Sequence, residues 1–254
     1  MISQEFSKGK LKFLQSLKLK KYRQKYQTFL VEGRKVILEI MNRKPQIINA
    51  LYAESSWIEA HYNILQKIDI QVLVVTAEEL GKISSLKVAD QVCAELTMLV
   101  PDRSVLESPG WILFLDGIAD PGNLGSIIRT ADWFGASAVC LGEGCVDVYN
   151  PKSLQASKGS FAHVPVFSFA ASELLALTGD KNWYMAELNG EAIQSIISPP
   201  DGGVLVIGSE SHGISPDISA IPHTNVTIPR REGGLAESLN AAIAAAIMLN
   251  HLTS

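Results

Sequence analysis

Residues 111–135 read WILFLDGIADPGNLGSIIRTADWFG. The run WILFL is apolar without alternation, the pattern of a strand buried on both faces. Asp116 and Gly117 then turn the chain, and Gly and Pro residues keep the turn tight before a helix from about Leu124 to Phe134. A buried strand feeding straight into a helix sets the frame for the rest of this half. SAVCLG, VPVFSF, NWYMAEL, GVLVIGS and NVTIP read as further strands with helical pieces between them, one near Pro151 to Lys158. Strict alternation of this kind implies an α/β fold with a mainly parallel sheet and helices on both faces.

Upstream, TFLVEG, IINALYA, IQVLVVTA and VCAELTMLV read as strands, with helices near 34–43, 55–66 and 77–85. They form a small α/β domain over residues 1–100, counting the basic arm that precedes it. PDRSVLESPG, residues 101–110, has the prolines and mixed polarity of a linker, and residues 111–254 form the second domain. The stretch EGGLAESLNAAIAAAIMLNHL, residues 232–252, closes the chain with an alanine-rich helix. Leu235, Leu239, Ile243 and Ile247 recur every four residues, which predicts one buried stripe. Ser238 and Asn240 sit near the amino end of that helix, where backbone N–H groups need caps.

The net charge of −4 conceals an asymmetry: +9 through Lys44 and −13 beyond it. Residues 7–27 hold eight basic side chains and no acidic one. Lys8, Lys10, Lys18, Lys20, Lys21, Arg23 and Lys25 are therefore candidate RNA-binding residues, since phosphate backbones demand such one-sided charge. Cys93, Cys140 and Cys145 form no CxxC pair, which points to reduced thiols. The five histidines show no ligand spacing, so no metal site is expected. The apolar run Ala241–Leu249 is too short to span a membrane. MISQEFSKGKLKF lacks the apolar centre of a signal peptide, so a cytoplasmic location is expected.

Three loops follow strands and carry polar side chains: DGIADPGNLGSIIRTADWFG, VIGSESHGIS and IPRREGGLAESLN. Parallel sheets bind ligands at the carboxyl ends of their strands, so three such loops in one domain make a site. The glycine fingerprint of nicotinamide enzymes, the phosphate-cradling GxxxxGK[ST] loop and the GxSxG elbow are all missing. On residues alone the chain is an α/β ligand-binding protein with a nucleic-acid-binding arm.

Taken together and in order, the loops resemble those of the SpoU (TrmH-type) family of RNA ribose 2′-O-methyltransferases, within the SPOUT superfamily. Asn123-x-Gly125, Arg129-Thr130-Ala131 and Phe134-Gly135 match its first motif. Gly208, Glu210 and Gly213 match the second, and Ile228-Pro229 with Ser238-Leu239-Asn240 the third. FLVEGRKVI after the basic arm resembles the L30e-like RNA-binding module that precedes this domain in the family.

The resemblance implies a deep trefoil knot in the carboxyl-terminal domain, a homodimer with its site completed near the subunit interface, and S-adenosylmethionine as cofactor. It implies Gly208, Ile228 and Leu239 as cofactor contacts, and Arg129, Asn123, Glu210, Ser238 and Asn240 as the residues facing the reaction. The implied activity is ribose 2′-O-methylation of ribosomal RNA. Transfer RNA as substrate, or a non-catalytic RNA-binding factor in ribosome assembly, are the alternatives. Two departures touch the cofactor contacts: the loop 229–238 is longer than is usual and carries Arg230 and Arg231, and Ser209 stands where Asn is common.

Overall fold

A computed structural model describes Ile2, Ser3 and residues 6–254. The chain divides into two compact units, Met1–Val100 with Tyr149–Gln155, and Pro101–Val148 with Ala156–Ser254.

The first unit contains strands β1 (Ile2–Ser3), β2 (Thr28–Glu32), β3 (Ile48–Ala53), β4 (Gln71–Val74) and β5 (Val92–Thr97). Its helices are α1 (Lys8–Ser16), α2 (Lys20–Tyr26), α3 (Arg34–Arg43), α4 (Ser55–Ala60), α5 (Tyr62–Leu65) and α6 (Ala77–Ile83). The sheet order is β1-β4-β3-β5-β2. It is mixed rather than parallel, because β5 runs antiparallel to both β3 and β2. The seven-residue α6 does not return the chain across the sheet, so Val92 enters opposite Ala53, where β3 ends. Thr76 opens α6 with a reciprocal cap: its side chain accepts from Glu79 N while the Glu79 carboxylate accepts from Thr76 N.

The basic arm folds as α1 and α2, and three of its cations are held by partners within the first unit. Arg23 is buried and its guanidinium donates to the carbonyls of Leu17 and Lys18. Lys10 pairs with the buried Glu95 at 2.8 Å, and Lys18 donates to the carbonyl of Ser84 at 2.7 Å. The expectation that Arg23 faces RNA is therefore corrected: its planar fork closes the α1–α2 turn. Lys8, Lys18, Lys20, Lys21 and Lys25 remain exposed.

The second unit contains β6 (Ile112–Leu115), β7 (Ala138–Leu141), β8 (Val166–Ser168), β9 (Trp183–Ala192), β10 (Val204–Ile207) and β11 (Thr224–Thr227). Its helices are α7 (Pro121–Trp133), α9 (Ala171–Thr178), α10 (Pro216–Ser219) and α11 (Ala241–Leu252), while α8 (Pro151–Ser157) has residues 151–155 in the first unit and 156–157 in the second. All pairings in the order β11-β9-β10-β6-β7-β8 are parallel. Alternate residues of each strand face opposite sides. Leu113, Leu115, Val139, Leu205 and Ile207 pack with α7 and α11. Ile112, Phe114, Cys140, Val204 and Val206 pack on the other face with Leu174 of α9 and Ile218 of α10. Residues 101–110 are anchored here, with Leu106 buried and Arg103 paired to Glu173.

The stripe of α11 differs from expectation. Leu235 and Leu239 precede the helix, and Leu235, Leu239, Ile243 and Ile247 are all exposed, at 96%, 45%, 51% and 38%. The buried face is Ala241, Ala242, Ala245, Met248, Leu249 and Leu252. Small alanines let the helix axis approach the sheet and α7, whereas the branched isoleucines would hold it away. The far end of α11 is held by the Leu252 carbonyl, which accepts from Trp111 Nε1 and Ser198 Oγ.

Candidate active site

Three chain segments meet at one carboxylate oxygen. Asp120 caps α7 by accepting from Asn123 N, which sets Asn123 in the first turn. Asn240 caps α11, its Oδ1 accepting from Ala242 N and Ile243 N. Glu210 lies in the loop after β10. Its Oε1 accepts from Asn123 Nδ2 at 3.0 Å, Asn240 Nδ2 at 2.7 Å and Ala241 N at 3.1 Å. The second proton of the Asn240 amide goes to Asn123 Oδ1 at 2.9 Å. A negative charge at the first turn of α11 also complements the helix dipole.

The loop carrying Glu210 is itself closed. Ser209 N donates to Gly213 O at 3.0 Å, and Gly213 N donates to Ser209 O at 2.9 Å. Gly208 is required by close approach: a Cβ there would lie 2.4 Å from the carbonyl carbon of Gly213. Gly213 sits at φ +67°, where a Cβ is strained. From below, Asp116 Oδ2 accepts from Ser215 N at 2.6 Å.

Beside this cluster is a cavity of about 1040 Å³. Gly208, Ile228 and Leu239 all line it, as do Glu210 and Ser238. One wall comes from an irregularity in β9. Met185 and Glu191 pair with the consecutive residues Asn225 and Val226, so Ala186–Gly190 are extra residues on the β9 side. They put Glu187 and Asn189 on the wall. Charged lining side chains are Glu187, Glu210, Glu237 and Arg230. The guanidinium of Arg230 also donates to the Ala236 carbonyl at 3.0 Å, tying the long loop across itself.

Of the five side chains expected to face the reaction, Asn123, Glu210 and Asn240 are in mutual contact. Ser238 lies on the cavity wall, and its hydroxyl makes no hydrogen bond among the described residues; the cap of α11 is Asn240 instead. Arg129 stands apart. Six residues along a helix amount to about 9 Å of rise and roughly 240° of rotation. It therefore leaves the face of α7 that carries Asn123. It lines a separate exposed depression with Ser126, Thr130, Trp133 and Phe134. Glu187, Asn189, Arg230 and Glu237 were not singled out as cavity residues by sequence reasoning. The polar end of NWYMAELNG, with Gly190, was the available signal for the first two.

Residues 110–250 match the SpoU rRNA Methylase family. The chain belongs to that family. Residues 8–94 match the MRM3-like substrate binding domain. The chain is 32% identical over 247 residues to the 23S rRNA (guanosine(2553)-2′-O)-methyltransferase RlmP of Bacillus subtilis, covering 96% of this chain and 95% of that one. Among solved structures it resembles a TrmH-family protein from Porphyromonas gingivalis, at 33% identity and a TM-score of 0.83, with 98% of each chain covered. It shares its fold with the AdoMet-bound rRNA methyltransferase from Sinorhizobium meliloti, at 24% identity and a TM-score of 0.86, covering 99% of this chain and 97% of that one. Asn123 and Asn240 lie at helix starts that meet over the loop carrying Glu210.

Proposed function

We propose that this chain methylates a ribose 2′-hydroxyl of ribosomal RNA. Membership of the SpoU rRNA methylase family makes it an RNA methyltransferase that uses S-adenosylmethionine. The observation that carries the reading is the convergence of Asn123, Asn240 and Ala241 on Glu210 beside the large cavity. A relative alike over nearly its whole length acts on 23S ribosomal RNA at a guanosine 2′-oxygen, which supports the substrate class.

The cavity fits this cofactor in size and charge. Ligand sites hold roughly 300–1,000 Å³, and about 1040 Å³ is open here. S-adenosylmethionine carries a sulfonium, an ammonium and one carboxylate. The lining sets three carboxylates against the guanidinium of Arg230, with Ile228, Leu239 and Met248 as apolar surface. Gly208, Ile228 and Leu239 would hold it. Bound there, S-adenosylmethionine supplies an electrophilic methyl group.

The chain's own residues orient the acceptor. A ribose hydroxyl is a weak nucleophile until its proton leaves, so developing negative charge must be met. Arg129, which lies outside its own chain's cavity and is supplied by a second copy, meets it through a charge-assisted bond to the oxygen or its neighbouring phosphate. A guanidinium holds its proton throughout in proteins, which disfavours a base role. Asn123, Ser238 and Asn240 position the sugar, and Glu210 fixes the two amides.

Three further features belong to the same proposal. The second unit carries a deep trefoil knot, supported by the shared walling of the cavity by the 208–213 loop and the segment leading into α11. The first unit is an L30e-like RNA-binding module. The protein works as a homodimer in the cytoplasm. The exposed Trp133, Ile243 and Ile247 support a second copy, as does Arg129 lying outside the cavity of its own chain. No helix among the described residues is long and apolar enough to cross a membrane.

The test is incubation with methyl-labelled S-adenosylmethionine and separated ribosomal and transfer RNA from a strain lacking this protein. Label in ribosomal RNA at a ribose 2′-oxygen is the expected result. Label confined to transfer RNA, or on a base, overturns it.

A further inference from the structure

The basic arm is more than a band of charge. With Arg23 buried and Lys10 paired to Glu95, the surface of α2 presents Lys20, Lys21 and Lys25 beside two tyrosines. Tyr22 and Tyr26 are four residues apart, which sets them on one face of the helix. Their rings are near parallel, 11° apart with centroids at 6.3 Å. Phe13 of α1 meets Tyr26 edge-on at 5.1 Å and 70°, fixing its ring. Lys21 Nζ stands 4.9 Å from the Tyr22 ring centroid, and Lys25 Nζ 5.1 Å from that of Tyr26.

Tyr26 is nevertheless 42% exposed. Neither phenol hydroxyl has a hydrogen-bond partner among the described residues. A tyrosine that serves a core buries its ring or spends its hydroxyl; Tyr26 does neither. Lysines alone would suffice to hold phosphates. An ordered, exposed aromatic ring among lysines matches what an unstacked base needs: a π-surface with cations alongside for the phosphates. Bases within an A-form duplex keep their faces in the stack, so such a surface selects unpaired nucleotides.

We propose that α2 is a stacking platform for an unpaired nucleotide of the RNA, its base on Tyr26 and its flanking phosphates on Lys21 and Lys25. This rests on the reading of the protein as an RNA-binding methyltransferase and adds what that reading lacks: the substrate presents a loop or bulge, not a plain helix, to the first unit.

The test uses the full chain with two labelled probes, a 12-nucleotide single-stranded RNA and a blunt RNA duplex of equal length, at about 0.15 M salt. The wild type binds the single strand more tightly. Tyr26→Leu keeps apolar bulk beside Phe13 but lacks a π-face. It weakens single-strand binding roughly tenfold and leaves duplex binding unchanged. Tyr26→Phe retains wild-type affinity. Lys25→Ala weakens both probes and lowers the salt slope by about 0.7–0.9. Melting temperatures within a few degrees of wild type certify the folds.

The platform is overturned if Y26L binds the single strand as wild type does, if Y26F loses as much as Y26L, or if the wild type prefers the duplex. Methyl transfer is measured on the same preparations. A wild type that methylates ribosomal RNA, with Y26L unchanged in KM, removes the platform and leaves the enzyme. A wild type that transfers no methyl yet binds single strands through the Tyr26 ring removes the enzyme reading and leaves the platform.

Discussion

The side-chain amide of Asn240 lies 2.7 Å from the carboxylate of Glu210, thirty residues earlier in the chain. The same oxygen holds the amide of Asn123 and the first N–H of α11. Removing it frees all three donors at once. Glu210→Ala is expected to lower methyl transfer on the order of 100-fold through misplacement of the two amides, with Glu210→Gln falling between. Glu210 is exposed, so the melting temperature should move by only about 3 °C. Steady-state transfer assays and thermal melts on both variants check this.

Arg129 gives the opposite separation of fold from chemistry. Its guanidinium has no hydrogen bond or ion pair among the described residues. Arg129→Ala should leave stability within about 0.5 kcal/mol while lowering transfer by about 10³. Arg129→Lys should not rescue it, because an ammonium lacks the planar fork. Calorimetry with S-adenosylmethionine is expected to give an unchanged Kd for both variants. Near-normal transfer by R129A would remove this residue from the reaction.

Two glycines in one loop should respond differently. At Gly208 a methyl group meets the Gly213 backbone at 2.4 Å, so Gly208→Ala must open the loop. Overpacking of this kind costs about 1–3 kcal/mol, and cofactor affinity should fall at least about tenfold (~1.4 kcal/mol). Gly213→Ala meets nothing within 4 Å and bears only the strain of its positive φ, about 1–2 kcal/mol. Denaturant melts and cofactor titrations distinguish the two.

Ile243 and Ile247 lie one turn apart on the solvent side of α11. If a second copy covers them, light scattering gives twice the 27.6 kDa chain mass. Replacing both with Asp then gives the single-chain mass and abolishes transfer. A wild type that scatters as a single chain contradicts the homodimer.

Burial pushes the thiols of Cys93 and Cys140 upward from their ordinary range, and that of Cys145 likewise. The folded values are raised, so the neutral thiols' contribution is full below the unfolded value of about 8.5 and is lost as pH rises beyond it. Tyr52, buried and hydrogen-bonded to Glu95, adds in the same direction above about 10. The melting temperature should hold steady from about pH 6 to 8 and decline above about 9. At pH 8 a thiol reagent should label none of the three cysteines quickly in the native protein, and all of them after unfolding.

Much of the second unit was legible because its strands are continuous apolar runs and its loops are punctuated by glycine. WILFL, GVLVIG and the alanine run each admit one reading. Which side of α11 faces inward was not legible, because a helix apolar all round carries no phase: packing distance decided it, favouring Ala245 over Ile243. The extra residues of β9 were hidden because Ala186–Gly190 continue a strand pattern and differ only in what lies opposite. Arg23 sat among seven other cations, and nothing local distinguished the one that turns inward. The meeting of Asn123, Glu210 and Asn240 follows from topology, which no local pattern encodes; resemblance grouped them before geometry could.

The partners of the Glu210 oxygen are delivered in sequence as the chain is made. Residues 210 and 240 are separated by 30 positions, which a ribosome takes roughly 1.5–6 s to add. During that interval the loop after β10 exists without either the Asn240 amide or the first turn of α11. A nascent chain therefore holds an unfinished acceptor site until α11 has emerged, and competence arrives as one event instead of accumulating strand by strand.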